Sequence, residues 1–424
     1  MLDHQQESQM HARCLGLVLL PSLLAAVPAA AQDDHHVIST DEFREKIEGF
    51  WHGQLVGNYL GFPFENLYVE EPIPVLVDRY YTTANSGDLE INGNDLRGNT
   101  HLFAGTFGGA WSDDDTDIEF VTLHAVEEHG LDITYEEIGQ AWMRHINRRI
   151  WVANRTARTL MDEGLVPPAT GAKENNENWF QIDPQLVNEI WSVFYPAMPT
   201  KAAEQAEWGA RITNDDWGTH PTIAYGLMYS AAFYEQDTEA LVRMALDVLP
   251  VDSPFTEGMH DVLRWWQENP DWRDTRQLIH DKYYRYTKGD YEAPVSVVSS
   301  LNNGLTGIMA ILYGEGDFER SVGIAVSAGY DCDNQAATVA GLIGVLKGGS
   351  TIPHRFTHDL GPGTWDTPFN NSYVNFSRDE IPVQTPINEI IDRIIAVSEQ
   401  AIFAAGGRKV VDAGTTHYWI PKGL

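Results

Sequence analysis

Gly329-Tyr330-Asp331-Cys332-Asp333-Asn334-Gln335 runs straight into Ala336-Ala337-Thr338-Val339-Ala340-Gly341-Leu342-Ile343-Gly344-Val345-Leu346. The second half is apolar nearly all round, with small residues at 336, 340 and 344, one helical turn apart. A helix with no polar face is central to its domain, and small side chains let its neighbours grip it closely. The first half packs two carboxylates and the side-chain carbonyl of Asn334 into one turn. A second acidic knot, Trp111-Ser112-Asp113-Asp114-Asp115-Thr116-Asp117, lies more than two hundred positions upstream and also runs into an apolar helix. Like charges crowded in this way are unfavourable unless a cation or a proton relieves them. The two knots therefore predict one site assembled from distant parts of the chain, of the magnesium type and serving hydrolysis.

Moving outward, Phe43, Ile47, Phe50, Trp51 and Leu55 recur at helical spacing and predict a first helix over 41–60, with Thr40 or Asp41 as its N-cap. Gly53, Gly57 and Gly61 lie one turn apart, so another backbone can approach that face. Pro63 stops the helix and leaves Glu65 on a loop. A lone loop glutamate is ordinarily just solvated. Residues 66–110 read as a long irregular connection. Asp113 to Asp117 stand at the start of a helix that His129-Gly130 ends. Acidic capping explains one or two aspartates there, but not three in a row. The spacing is not that of a calcium EF-hand loop.

Helical patterns continue over 131–162, from Ile182 to Trp191, over 202–211, from Ile223 to Phe233, over 238–270 and from Phe318 to Val326. Residues 295–313 are apolar and are broken by Asn302-Asn303-Gly304. Gly164 to Gly171, with its proline pair, either fixes a rigid loop over a pocket or merely connects helices. Thr213-Asn214-Asp215-Asp216-Trp217-Gly218-Thr219-His220 is a third polar knot. No strand-like alternation of comparable length occurs. The fold class is all-α, a compact multi-helix bundle without internal repeat or clear domain boundary, so residues 32–424 form a single domain.

The chain has 424 residues, 43% of them hydrophobic, which is ample for a large core. Its 61 acidic against 28 basic residues give a formal charge of −33. Such a surface excludes nucleic acid and anionic membrane as partners. Solubility explains the acidity as well as any substrate does. Cys14 to Val27 form an apolar run followed by Ala29-Ala30-Ala31, a small-residue cleavage pattern before Gln32, so residues 1–31 read as a signal peptide. A start at Met10 would remove the acidic residues that suit such a signal poorly. Pro21 and Pro28 interrupt the run, which is too short for a membrane span. Cys332 is then the one cysteine left. A disulfide-free exported protein fits a bacterial periplasm or medium.

Asp-x-Asp followed by Asn334 offers hard oxygen ligands of the kind that magnesium and manganese prefer. Two knots can supply a pair of cations about 4 Å apart. At this point the chain resembles the ADP-ribosylglycohydrolases. Gly53 to Glu65 is similar to the family's glycine-rich first-helix motif ending in a glutamate. Ser112-Asp113-Asp114-Asp115-Thr116 resembles its Thr-Asp-Asp-Thr element. Gly164 to Gly171, then Ile182 to Trp191 and Pro196, resembles the middle of larger bacterial members. Gly329 to Gly344 resembles the Gly-Asp-Thr-Asp-Thr element with its small-residue helix.

The resemblance implies an all-α fold with a binuclear magnesium centre in a cleft, manganese being the substitute ion. Asp113, Asp114 and Asp115 would be the first set of ligands and Asp331, Asp333 and Asn334 the second. Glu65 would be the catalytic glutamate that activates or orients water. The substrate would be a small-molecule or protein-linked ADP-ribosyl or related ribosyl N- or O-glycoside. Asp113 and Asn334 stand where the family has threonines, Asn58 where an aspartate is common, and Ser112-Asp113-Asp114 is an alternative register for the first knot. The family's Ser-Asn-Gly and Met-Arg substrate segment is absent, which leaves Thr170, Gly171, Asn214 and His220 as loop candidates for substrate contacts. Two other readings stand beside this one: a glycosidase acting on a non-nucleotide sugar, and a binding protein that keeps the metal site without hydrolysis.

Overall fold

Four glycines on one face of the first helix set the centre of the fold. The computed structural model describes residues 34–82, 96, 100–112, 114–360 and 363–424; residues 1–31, expected to be a signal peptide, and Asp113 lie outside them. The first helix spans Thr40–Gly61, and its N-cap is Ser39, whose hydroxyl accepts from the Glu42 N–H at 3.1 Å. The cap thus falls just before the Thr40 or Asp41 that the sequence favours. Gly49, Gly53, Gly57 and Gly61 all face the Cys332–Lys347 helix. A Cβ added to them would lie 2.0 Å from Gly344 O, 2.3 Å from Ala340 O, 2.2 Å from Ala336 O and 2.3 Å from Asp333 Cα, respectively. Partner numbers fall as glycine numbers rise, so the two helices run antiparallel, backbone against backbone. Hydrogen is the one side chain that close packing admits there.

Other helices wrap this pair. In chain order they are Thr100–Phe107, Thr116–His129, Tyr135–His145, Val152–Asp162, Asp183–Val187, Glu189–Phe194, Pro199–Ala210, His220–Ala231, Thr238–Leu246, Pro254–Glu268, Trp272–Ile279, Ser300–Gly314, Phe318–Ser327 and, after the central helix, His354–Thr357 and Ile387–Ala404. Ser300–Gly314, Phe318–Ser327 and His220–Ala231 pack on the Cys332–Lys347 helix, and Ile387–Ala404 packs on the first. The all-α class holds. Among the described residues, no helix is long and apolar enough to cross a membrane.

Four local expectations differ. Residues 66–110 are not irregular throughout, since they include the Thr100–Phe107 helix. Asn302-Asn303-Gly304 does not break the apolar stretch but sits inside the Ser300–Gly314 helix. There the Asn303 amide donates to Val297 O at 2.8 Å and Ser299 O at 2.9 Å, so its polar group is satisfied without ending the helix. The Ile182–Trp191 pattern is split at Asn188, at φ −124° and ψ 1°, into two short helices. Finally, the two ends of the described chain meet in a small antiparallel sheet ordered His35–Ser39, Thr415–Pro421, Arg408–Asp412, with Val37 opposite Trp419. Tyr418 turns inward onto Phe43, with ring centroids 4.8 Å apart. Strands this short, paired across the whole chain, leave little periodic signal.

Candidate metal centre

The antiparallel glycine contact fixes what lies beyond its end. Gly61 abuts Cys332 and Asp333, so the chain leaving the first helix emerges beside the start of the central one. Pro63 confines that exit to a single 3-10 turn, Phe62–Phe64, and Glu65 follows it at φ −47° and ψ 122°. Across from it, Gly329 at φ 80° and Tyr330 at φ 62° turn the chain sharply into the Asp331–Asp333 segment. The two segments bridge through their backbones. The Asn66 N–H donates to Tyr330 O at 2.7 Å and the Tyr330 N–H to Tyr68 O at 2.9 Å.

One carboxylate oxygen each from Glu65, Asp331 and Asp333 falls within 4.8 Å of the other two. Asp331 is the N-cap residue of the central helix, yet its side chain forms no capping bond. Its backbone N–H is held by Asn303 Oδ1 at 3.0 Å, so the asparagine inside the neighbouring helix orients the turn. Glu65 Oε1 accepts from the Asn66 side chain at 2.9 Å. Asp331 and Asp333 are 9% and 7% exposed, and Glu65 is half-buried. Cys332, buried between the aspartates, has its thiol pushed well above its ordinary range by burial and by the charges of Asp333, Asp331 and Glu65. Asn334 is buried, and neither atom of its amide has a hydrogen-bond partner among the described residues. Three converging carboxylates beside an unsatisfied amide carbonyl form a hard-oxygen donor set that fits a divalent cation.

The first knot approaches the same helix one turn earlier. Tyr59 ties it down: its hydroxyl donates to Trp111 O at 2.6 Å and accepts from the Trp111 N–H at 2.7 Å. Asp115 is the N-cap residue of the Thr116–His129 helix, is buried, and accepts a hydrogen bond from the Asn58 amide. Asp114 is half-buried. Neither belongs to the three-carboxylate cluster, and Asp113 lies outside the described residues. Ser112 and Thr116 are buried with hydroxyls that have no hydrogen-bond partner among the described residues. Asp117 has a different partner: Arg378 Nε lies 2.7 Å from its carboxylate and Ser377 Oγ also donates to it, with both members of the ion pair fully buried.

Residues 39–381 match the model of the ADP-ribosylglycohydrolase family. The chain belongs to that family. Membership makes it a glycohydrolase-type hydrolase. A solved structure described as an ADP-ribosylglycohydrolase-related protein complex is similar to it, with a TM-score of 0.53 at 17% identity over 85% of this chain and 99% of that one. At that identity the likeness speaks for the fold alone. A comparison with curated proteins gives no match.

Of the loop candidates for ADP-ribose contacts, Thr170, Gly171 and Asn214 lie in two connections, and His220 opens the His220–Ala231 helix. Thr170 Oγ1 donates to Ile212 O at 2.7 Å, and the Asn214 amide donates to Gln181 O at 2.7 Å. Gly171 leaves 2.5 Å between a hypothetical Cβ and Arg211 O. His220 Nδ1 shares a hydrogen bond with Ser253 Oγ at 2.6 Å, and burial lowers the imidazole to about 4. These side chains join the 164–182 connection to the 211–220 knot and hold the knot to Ser253.

Sequence reasoning passed over a buried carboxyl pair one turn along from Asp115. Glu119 accepts from the Ile190 N–H at 2.7 Å and Glu189 accepts from the Thr338 hydroxyl at 2.6 Å. Burial, reinforced by the Glu189 charge, raises Glu119 far above the ordinary carboxylate range, and burial raises Glu189. The pair thereby holds a proton near neutrality. A glutamate set among Ile118, Phe120 and Val121 was the available signal.

Proposed function

We propose that Glu65, Asp331 and Asp333, with Asn334 beside them, hold a divalent cation, magnesium or manganese, and that Asp113, Asp114 and Asp115 complete a second cation position. The reaction proposed is hydrolysis of an ADP-ribosyl or related ribosyl N- or O-glycosidic bond, on a small molecule or a modified protein. The observation that carries this reading is the meeting of Glu65, Asp331 and Asp333 oxygens within 4.8 Å. A bound cation would supply electrophilic polarisation of substrate oxygens. The chain's own contribution is positional. The Asn66 amide holds one oxygen of Glu65, leaving the carboxylate turned toward the two aspartates, where it can accept a proton from water. Asn303 holds the Asp331 backbone, so the turn is organised before substrate arrives. Export to a periplasm or medium, directed by residues 1–31, belongs to the same proposal.

The deciding experiment is magnesium-dependent release of ADP-ribose from ADP-ribosyl-arginine, with wild type beside Asp333→Ala. The expected result is release that chelation abolishes and the variant lacks. A folded, cation-binding wild type that releases nothing overturns the substrate assignment and directs the assay to simple ribosides.

A further inference from the structure

Arg276 lies outside every motif that the sequence singles out. It sits on the Trp272–Ile279 helix and is fully buried. Its guanidinium donates three hydrogen bonds to backbone carbonyls: to Val69 O at 2.6 Å, Glu70 O at 2.9 Å and Ala328 O at 3.0 Å. The first two acceptors belong to the loop that follows Glu65. The third comes three residues before Asp331. A single planar group thus joins the two segments that carry the carboxylate cluster. Burying a guanidinium is costly unless its donors are fully engaged, and here they are engaged across the seam.

Tyr330 immediately precedes Asp331 and stands against the Arg276 guanidinium. Its φ of 62° is in the left-handed region, which a bulky side chain adopts only under strain. The surroundings hold it there. The Arg276 guanidinium carbon lies 4.5 Å from the Tyr330 ring centroid, and the Tyr330 hydroxyl shares a hydrogen bond with His280 Nδ1 at 2.8 Å. His280 Nε2 in turn lies 3.3 Å from the Glu70 carboxylate. His280 opens a single π turn, His280–Tyr284, directly after the helix that carries Arg276. Such turns interrupt a helix to aim particular side chains.

We propose that Arg276, with the Tyr330 ring against it, is a clamp that fixes the Glu65 loop to the Asp331–Asp333 turn and so sets the spacing of the three carboxylates. The inference rests on reading that cluster as a cation site. Arg276 touches no carboxylate of the cluster; it is a positioning residue that acts through the two backbones. A lysine cannot replace it, because a point charge lacks the planar fork that reaches Val69, Glu70 and Ala328 together.

The test uses the full chain with Arg276→Lys, Arg276→Ala and Tyr330→Leu. Amide hydrogen exchange is followed over 65–73 and 328–333 in the presence of a chelator, and Mn2+ affinity is measured by calorimetry. Exchange should accelerate in both segments together, and Mn2+ affinity should fall about 10- to 100-fold, the loss typical of removing a group that orients ligands. Added guanidinium should restore affinity to Arg276→Ala. If that variant does not fold, Arg276→Lys and Tyr330→Leu decide the matter. Unchanged exchange in a folded variant overturns the clamp. Faster exchange with unchanged Mn2+ affinity overturns its positioning role. A wild type that takes up no Mn2+ overturns the cation reading instead, while exchange still decides whether the clamp exists.

Discussion

Asp117 and Asp333 are both aspartates of an acidic knot, both beside a helix start, and they do different work. Asp117 completes a fully buried pair with Arg378, drawing the 373–381 segment onto the Thr116–His129 helix. Asp117→Asn leaves a buried guanidinium without its counter-charge and should cost about 3–5 kcal/mol in urea denaturation. Asp333→Ala should cost much less stability in chelator and should instead remove cation uptake. Equal stability losses in the two variants would contradict this division. Buried carboxyls also set a pH dependence. Asp183 accepts the Asn154 N–H at 3.0 Å, and burial pushes it up to about 7 from an ordinary 3.8. The folded chain then keeps a proton that the unfolded chain has released. This contribution to stability is therefore complete below pH ~3.8 and is lost as pH rises toward 7, by at most about 1.4 kcal/mol per pH unit. Relative to wild type, Asp183→Asn should gain melting temperature steadily between pH 4.5 and 7.5 in chelator. A difference that stays flat over that range would refute the assignment.

Among the elements, the antiparallel contact of Thr40–Gly61 with Cys332–Lys347 positions the site, because Asp333 lies at its end and Glu65 just past it. Gly57→Ala would place a methyl 2.2 Å from Ala336 O and push the helices apart. Overpacking of this kind costs about 1–3 kcal/mol or more. It should also weaken Mn2+ binding, since the carboxylates ride on the two helices. Gly139, inside the Tyr135–His145 helix, offers the comparison: its added Cβ would meet nothing closer than Pro167 Cδ at 3.4 Å. Gly139→Ala should be neutral, or stabilising by up to about 1 kcal/mol through helix propensity. Urea denaturation of both variants checks the contrast. If Gly57→Ala matches wild type in stability and in cation affinity, the close helix contact does not set the site.

At the scale of the molecule, the sheet closes the described chain by pairing residues 35–39 with 417–421. Tyr418, Trp419 and Ile420 are buried there, at about 1.5–3 kcal/mol each. Truncation after Gly407 should lower stability by several kcal/mol, read by urea denaturation, while leaving the carboxylate cluster formed in the folded fraction. A truncated chain as stable as wild type would mean that the sheet adds nothing to the core.

The helical class and the central helix were legible in the residues alone, and both acidic knots stood out there, because apolar periodicity and charge crowding are local and survive without a partner. The sequence also marked Gly53, Gly57 and Gly61, and separately 336, 340 and 344, as faces open to close approach. That these two faces meet each other, with Gly49 extending the contact, emerges in the folded chain alone. That meeting turns Glu65 from a loop glutamate into a neighbour of Asp331 and Asp333. The tertiary structure likewise assigned Asp117 to Arg378, placed Asn303 inside a helix to hold Asp331, and directed the side chains of Thr170, Asn214 and His220 to neighbouring connections. Each of these depends on which groups converge from distant parts of the chain. Convergence is set by packing in three dimensions, where a buried polar group takes the partner it finds.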